Sequence, residues 1–194
     1  RYTGTEKMFR KLKRSAGLRR IGEQDERREP VMKILITTDW YTPAVNGVVT
    51  SVKNLQRELE RRGHEVRILT LSQSLHSWSR DGVTAIGSVN AGRIYPGARL
   101  RTAMDWRPDV IHSQCEFSTF FLARRIAEEL DVPLVHTYHT VYEDYTHYFS
   151  PSVRWGRCAV AAFSRWVAAQ VDGMIAPTGK VRGPVSYTHL TLPT

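Results

Sequence analysis

The stretch at residues 33–62, KILITTDWYTPAVNGVVTSVKNLQRELERR, restricts the possible folds of this chain more than any other part of it. Ile34, Leu35 and Ile36 form an unbroken apolar run, which is too short for a helix and is typical of a parallel strand covered on both faces. An amphipathic helix follows, because apolar residues recur at intervals of three and four positions: Val48, Val52, Leu55 and Leu59. These two elements predict the opening β-α unit of an open α/β sheet.

Gly63 is predicted to end this helix, since glycine is common just after a helix C-terminus. The apolar-rich run VRIL at 66–69 then supplies a second strand. Strand, helix and strand follow one another within about forty residues, which is the span of a right-handed parallel crossover.

The rest of the chain repeats this alternation. Strands are predicted around residues 83–86, 110–112, 134–137 and 173–176, and the polar stretch at 72–81 is interpreted as a loop. One further helix is predicted to turn these residues inward: Phe117, Phe120, Phe121, Ile126, Ala127 and Leu130. Another begins at Ser150 and is predicted to bury Val153, Ala159, Ala162, Phe163, Trp166 and Val167. The fold class is therefore α/β, a Rossmann-like doubly wound parallel sheet of about six strands.

The length of 194 residues suits one complete core, which we place in a domain at 32–184. Residues 1–31 carry ten Lys or Arg against five Asp or Glu and so hold +5 of the net charge of +9; we interpret them as a flexible basic extension. A basic surface attracts anionic lipid or nucleic acid, and composition does not choose between them.

No apolar run is long enough to cross a bilayer, which favours a cytoplasmic protein. Cys115 and Cys158 lack C-x-x-C spacing and are interpreted as reduced packing residues.

The first candidate site is the loop that carries Asn46-Gly47, because ligands of open α/β sheets bind outside the carboxyl ends of the strands. Gly47 has no Cβ, so a phosphate or a sugar can approach the backbone, and the free N–H groups of the first helical turn favour an anion. The alternative is that Asn46 is simply a helix N-cap and Gly47 a turn residue. The G-x-G-x-x-G and G-x-x-x-x-G-K-[ST] patterns are absent, which argues against an NAD enzyme and a P-loop ATPase.

Histidines follow two other predicted strands. His112 ends one of them, and His136 and His139 flank the end of the next, with Glu116 and Glu143 nearby in sequence. These side chains suit a metal site, general acid/base work, or hydrogen bonds from a neutral imidazole to a sugar hydroxyl, and each histidine can also be purely structural. The absence of C-x-x-C and H-E-x-x-H patterns argues against a metal.

Three segments resemble the N-terminal half of retaining glycosyltransferases of family 4, most closely the bacterial enzymes that glucosylate diacylglycerol: YTPAVNGVVTSVKNLQRELERRGHEV, PDVIHSQCEFSTFFLARRIA and VPLVHTYHTVYEDYTHYF. The resemblance implies one half of a GT-B fold, in which two Rossmann-like domains face each other across a cleft. Residues 32–184 are then the acceptor-side domain, and the C-terminal donor-binding domain, with its paired glutamates, is missing. We interpret residues 185–194, VSYTHLTLPT, as an artefactual tail that resembles translated adapter sequence.

The resemblance also implies roles for individual residues. Asn46 and Gly47 match the loop that approaches the donor diphosphate, and His139 matches a catalytic histidine beside the transferred sugar. His112, Glu116 and Glu143 are expected to contact the acceptor. The arginines between 93 and 107, interleaved with apolar residues, match a region that meets the membrane, although a solvated surface helix also explains such a pattern: Arg93, Arg99 and Arg101.

The implied activity is transfer of a hexose from a nucleotide sugar, with a UDP-sugar as the expected donor, to diacylglycerol with retention of configuration. No metal and no other cofactor are expected, and the partners are the donor, the lipid acceptor and an anionic membrane surface, with no nucleic acid. The expected location is the inner face of the cell membrane, peripherally bound, and the fragment alone is expected to be inactive. The alternatives are a family 4 transferase with a soluble sugar or cell-wall acceptor, and a non-enzymatic basic module that binds nucleic acid.

Overall fold

The structure is a computed structural model that describes residues 30–89, 93–94, 98–139 and 153–176. The strands are β1 (Lys33–Thr38), β2 (Glu65–Leu71), β3 (Trp78–Arg80), β4 (Val83–Ile86), β5 (Ser88–Val89), β6 (Arg93–Ile94), β7 (Val110–Ser113), β8 (Leu134–Thr137) and β9 (Gly173–Ile175). The helices are α1 (Gly47–Arg61), α2 (Ala98–Asp105), α3 (Ser118–Leu130) and α4 (Val153–Ala169). The predicted extension at 1–31, apart from its last two residues, and the predicted tail at 185–194 lie outside the described residues.

Seven strands form one sheet in the order β3-β4-β2-β1-β7-β8-β9, and a two-stranded ribbon pairs β5 with β6. Every pairing within the large sheet is parallel except that of β3 with β4. The predicted Rossmann-like α/β fold is therefore confirmed. The helices lie on both faces of the sheet, which makes it doubly wound as expected.

The prediction of a loop over 72–81 and of a wholly parallel sheet is wrong at one edge. Residues 78–80 form the antiparallel strand β3, joined to β4 by the two-residue turn Asp81-Gly82. Both turn residues have positive φ, 49° and 76°, which is the requirement of the tightest hairpin turns. Asp-Gly between two extended runs is a hairpin signal that was present in the sequence.

The two faces of the sheet are covered by different helices. Ile34 and Ile36 point to the α1 face and Leu35 to the other, as the period of two in a strand requires, and all three are at most 4% exposed. The larger core, on the second face, joins the sheet to α2, α3 and α4 and includes Leu35, Leu69, Leu100, Ile111, Phe120, Ile126, Leu134 and Val167. The unbroken apolar run of β1 is thus explained by cover on both sides.

Helix α1 begins and ends where the sequence predicted. The side-chain oxygen of Asn46 accepts a hydrogen bond of 2.9 Å from the backbone N–H of Val49, and Gly63 follows the helix with φ +89°. Among the predicted inward residues Val52 is buried, and Val48, Leu55 and Leu59 are partly buried against the same cluster. Val49, which was not predicted, is also buried.

The predicted inward faces of α3 and α4 are only partly correct. Phe117 and Phe121 are each 52% exposed, and the buried residues of α3 are Thr119, Phe120, Leu122, Ala123, Ile126 and Ala127. Phe121 lies about 100° around the helix from Phe120 and falls outside the buried stripe, which extends from Phe120 towards Thr119 on the other side. In α4 Val167 is buried as predicted, whereas Trp166 is 37% exposed. No helix in the described part of the chain is long and apolar enough to span a membrane.

Thr70 offers a test of the packing of β2. It is 3% exposed, and its hydroxyl has no hydrogen-bond partner among the described residues. Replacing Thr70 with valine, which keeps the shape and removes the buried hydroxyl, is expected to raise the free energy of unfolding by about 1 kcal/mol, as measured by urea denaturation.

The matched control is Thr84→Val in the neighbouring strand. The hydroxyl of Thr84 is similarly buried and pairs with Ser79 Oγ at 3.1 Å, so its removal is expected to lower stability. A Thr70→Val variant as destabilised as Thr84→Val would contradict this account of β2.

Candidate functional site

The sheet has one topological switch point, between β1 and β7. From β1 the chain moves outward to β2 in one direction and, later, to β7, β8 and β9 in the other. In open α/β sheets the crevice at the carboxyl ends of these two central strands is the usual ligand site. The residues after β1, β7 and β8 all lie at this edge, so the structure brings the Asn46-Gly47 loop and His139 to the same side of the sheet.

Asn46 and Gly47 are both exposed at this edge. The side-chain oxygen of Asn46 accepts the capping hydrogen bond of α1. The alternative interpretation of Asn46 as a helix N-cap is therefore correct. A Cβ built on Gly47 meets nothing within 4 Å, so the backbone is open to solvent there. The first turn of α1 contains no acidic residue, which leaves its N–H groups electrostatically suited to an anion. The donor-phosphate role of this loop remains a prediction.

Asp39, which the sequence marked only as the end of β1, caps a different helix. Its Oδ1 accepts a hydrogen bond of 2.7 Å from the backbone N–H of Thr119, in the first turn of α3. The residue before α3, Phe117, provides no side-chain cap, so the cap comes from the end of a distant strand. Burial raises the pKa of Asp39, and the hydrogen bonds from Thr119 and Ser118 act in the opposite direction.

His139 is held by Gln114, a residue that the sequence did not single out. The Nε2 atom of His139 lies 2.7 Å from Oε1 of Gln114, and the backbone N–H of Gln114 donates to the carbonyl of Thr37 at 2.9 Å. His139 is partly buried, and this burial lowers its pKa, although the charge of Glu116 opposes the shift. The imidazole is therefore neutral at pH 7.

His136 and Glu116 lie deeper in the same edge. His136 is 0% exposed and its ring meets Phe120 edge-on, with 5.6 Å between the ring centroids. Its Nε2 is 3.5 Å from Oε1 of Glu116, which is itself 3% exposed. His136 is thus a core histidine, as one of the sequence alternatives allowed. The acceptor-binding role of Glu116 stays a prediction, and its burial adds a structural role beside His136.

His112 points to the α1 face of the sheet, since it alternates along β7 with Ile111. Its Nε2 lies 2.7 Å from Oγ1 of Thr137 at the end of the neighbouring strand. Burial lowers the pKa of His112 to about 3, with smaller contributions from the nearby imidazoles of His136 and His139. His112 is therefore a neutral hydrogen-bonding group, and its contact with an acceptor remains a prediction.

This lowered pKa predicts an acid-sensitive fold. Between pH about 6.5 and about 3 the unfolded chain protonates His112 while the folded chain does not, so stability falls as the pH falls. We expect wild-type protein to lose about 2 kcal/mol more between pH 7 and pH 5 than a His112→Gln variant, measured by urea unfolding at both pH values. Equal losses in the two proteins would show that the fold does not hold His112 in its neutral form.

Four predicted site residues remain: Glu143, Arg93, Arg99 and Arg101. Glu143 lies outside the described residues. Arg93 lies in β6 and Arg99 in α2, but their side chains are also outside the description, whereas Arg101 of α2 is exposed. The membrane-contacting role of these three arginines remains a prediction.

Cysteine and metal chemistry receive no support from the described residues. Burial raises the pKa of the Cys115 thiol to about 11, and its sulfur lies 3.6 Å from Thr38 Oγ1, so it behaves as a packing residue as predicted. Over the same described ranges, no group of three or more His, Cys, Asp or Glu is arranged to hold a metal ion. The side chain of Cys158 lies outside the description.

The sheet and the position of the site define a Rossmann-like α/β domain whose candidate ligand site lies at the carboxyl edge. Residues 45–185 match the model of Glycosyltransferase Family 4, and the chain belongs to that family. The resemblance seen in the three sequence segments is therefore confirmed.

Two curated relatives and one solved structure show what the chain is similar to. It is 37% identical over 164 residues to the alpha-monoglucosyldiacylglycerol synthase of Streptococcus pneumoniae (strain ATCC BAA-255 / R6), which covers 80% of this chain and 37% of that protein. It is also 37% identical over 129 residues to the alpha-monoglucosyldiacylglycerol synthase of Acholeplasma laidlawii, covering 61% of this chain and 32% of that protein. The catalytic domain of starch synthase IV from Arabidopsis thaliana, bound to ADP and acarbose, gives a TM-score of 0.49 at 14% identity, covering 84% of this chain and 51% of that chain. The chain spans only about a third of the length of the curated relatives that it matches.

Proposed function

We propose that this chain is the acceptor-side half of a retaining glycosyltransferase that moves a hexose from a nucleotide sugar to diacylglycerol. Family membership and the 37% identity to two alpha-monoglucosyldiacylglycerol synthases support the reaction class and the lipid acceptor. The structural observation that carries the proposal is the position of the Asn46-Gly47 loop and of His139 at the same carboxyl edge of one sheet.

The proposed division of work follows from the chemistry of this edge. The N–H groups at the start of α1, which Gly47 leaves uncovered, face the negative charge of the donor diphosphate. A neutral His139 supports the transferred sugar through hydrogen bonds rather than through charge. The buried pair of His136 and Glu116, whose Nε2 and Oε1 atoms lie 3.5 Å apart, forms the base of the site. His112, Glu116 and Glu143 are the proposed acceptor contacts.

The proposed donor is a UDP-sugar. A second Rossmann-like half, with the paired glutamates of the family, supplies most of the donor contacts, so the chain alone binds the donor weakly and transfers little or no sugar. No catalytic metal, other cofactor or nucleic acid takes part in the proposal. The protein acts in the cytoplasm at the inner face of the cell membrane, with Arg93, Arg99 and Arg101 attracted to anionic headgroups.

A chimaera tests the function directly. Residues 32–184 would replace the matching segment of the Streptococcus pneumoniae relative, and the purified chimaera would be supplied with UDP-glucose and diacylglycerol in mixed micelles. The proposal predicts a monoglucosylated lipid with the α configuration. The control is the chimaera from which residues 32–184 have been deleted, so that only the remaining part of the relative is present.

Two results would overturn the proposal in different ways. Transfer to a soluble sugar without transfer to diacylglycerol would keep the glycosyltransferase and remove the lipid acceptor. Transfer to diacylglycerol by residues 32–184 alone would contradict the need for a second half.

A further inference from the structure

Gln114 connects three strand ends at the site. It follows β7 directly and is 2% exposed, although it is a polar residue at an edge that opens to solvent. Its backbone N–H bonds to Thr37 of β1, and its side-chain oxygen lies 2.7 Å from Nε2 of His139, just after β8. A buried glutamine with this bond fixes where the imidazole stands relative to β1 and β7.

The chemistry of the contact also fixes where the proton of His139 lies. With the amide oxygen facing the ring, as in this structure, Nε2 of His139 carries the hydrogen, because an amide oxygen can only accept a hydrogen bond. In this orientation the buried amide nitrogen of Gln114 has no hydrogen-bond partner among the described residues. A neutral imidazole with its proton on Nε2 has a lone pair on Nδ1. The ring then offers its other nitrogen to a ligand as an acceptor, which suits the hydroxyl group of a sugar.

We propose that Gln114 is a positioning residue that holds His139 as the neutral tautomer protonated on Nε2 and leaves Nδ1 to accept a hydrogen bond from a sugar hydroxyl. Only the identity of the ligand, a sugar, rests on the proposed function. The tautomer is a property of the chain itself, and it is measurable without any transfer of sugar. The competing arrangement is the opposite orientation of the amide, in which Gln114 donates from its nitrogen and His139 carries its proton on Nδ1.

The burial of Gln114 explains why a glutamine suits this position. A glutamate would present the same acceptor geometry but would place a second carboxylate beside His139, in addition to Glu116, whose charge already opposes the lowering of the imidazole pKa by burial. The neutral amide supplies the acceptor without stabilising the imidazolium. Gln114 therefore sets the proton position while keeping the ring uncharged at neutral pH.

The test is nitrogen NMR of the whole 194-residue chain labelled at its histidines, with the His139 signals assigned by their loss in a His139→Asn variant. At pH 7.5 the wild-type protein is expected to show the Nε2-protonated pattern at His139. Gln114→Leu is expected to yield a mixture of the two tautomers. Gln114→Glu is expected to raise the pKa of His139 by about one unit or more, a change of at least about tenfold in its protonation constant.

The signals of His112 are the internal control, because that ring bonds to Thr137 and not to Gln114. They should keep the pattern of a neutral imidazole in both variants at pH 7.5, which would show that β7 and β8 are intact. An Nδ1-protonated His139 in the wild-type protein would overturn the proposal, and so would an unchanged tautomer in Gln114→Leu. If Gln114→Leu does not fold, the wild-type tautomer and the pKa of His139 in Gln114→Glu decide the matter, and an unchanged pKa there would also overturn the proposal. Since none of these readouts depends on transfer, they succeed or fail separately from the chimaera assay.

Discussion

Replacing Phe120 with alanine is expected to lower the free energy of unfolding by about 3–5 kcal/mol, the largest effect on stability among the single substitutions proposed for this chain. Phe120 is 0% exposed in the core between α3 and the sheet, and its ring also meets the buried ring of His136. The truncation would leave a cavity at the point where the core supports the site. Chemical denaturation followed by circular dichroism measures the loss.

The matched control is Phe121→Ala, the same change at the next position. Phe121 is 52% exposed, and its alanine variant is expected to lose about 1 kcal/mol or less. Similar losses in the two variants would show that the buried stripe of α3 does not separate Phe120 from Phe121. The comparison therefore tests the register of α3, for which the sequence pattern predicted both phenylalanines to face inward.

Replacing His139 with alanine is expected to reduce glucose transfer by the chimaera by about 100-fold to 1000-fold, with most of the loss in kcat. The magnitude is typical for removal of one preorganised hydrogen-bonding group beside a reacting centre. A loss in kcat rather than KM is expected because the proposed contact strengthens as charge develops on the sugar. Initial rates over a range of UDP-glucose concentrations separate the two parameters.

His64→Ala provides the control for this experiment. His64 precedes β2 at the opposite edge of the sheet, where its Nδ1 accepts a hydrogen bond of 3.3 Å from the backbone of Met32. Its loss should affect stability more than transfer. Full activity in His139→Ala, with the protein folded, would remove His139 from the proposed mechanism.

The sequence predicted those parts of the fold that depend on local pattern. The apolar run at 34–36 identified a strand covered on both faces, and the spacing from Val48 to Leu59 identified α1 together with its cap at Asn46. Both features are set by residues close together in the chain. Edge strand β3 was predictable in the same way from the Asp81-Gly82 turn, although the polarity of residues 72–81 is more typical of a loop.

Contacts between segments that are distant in the sequence could not be predicted from the spacing of residue types. Gln114 meets His139 across 25 positions and Asp39 meets Thr119 across 80, and neither contact leaves a periodic trace in the sequence. The inward face of α3 was predicted only in part for a related reason. Its run STFFLARRIA offers apolar residues on more than one side, and only packing against the sheet decides that Phe120 is buried and Phe121 is not.

Paramagnetic broadening from a nitroxide at residue 47 tests the central claim most directly, because the claim is that Gly47 and His139 lie at one edge of the sheet. The label would be attached to Gly47→Cys, with Cys115 and Cys158 replaced by alanine; the position tolerates a side chain because nothing lies within 4 Å of its Cβ. His139 is expected to broaden strongly. His64, beyond the far end of α1 and about 22 Å away by the rise of a 15-residue helix, is expected to stay sharp. A sharp His139 signal beside a broadened His64 signal would contradict the shared edge on which the proposed site depends.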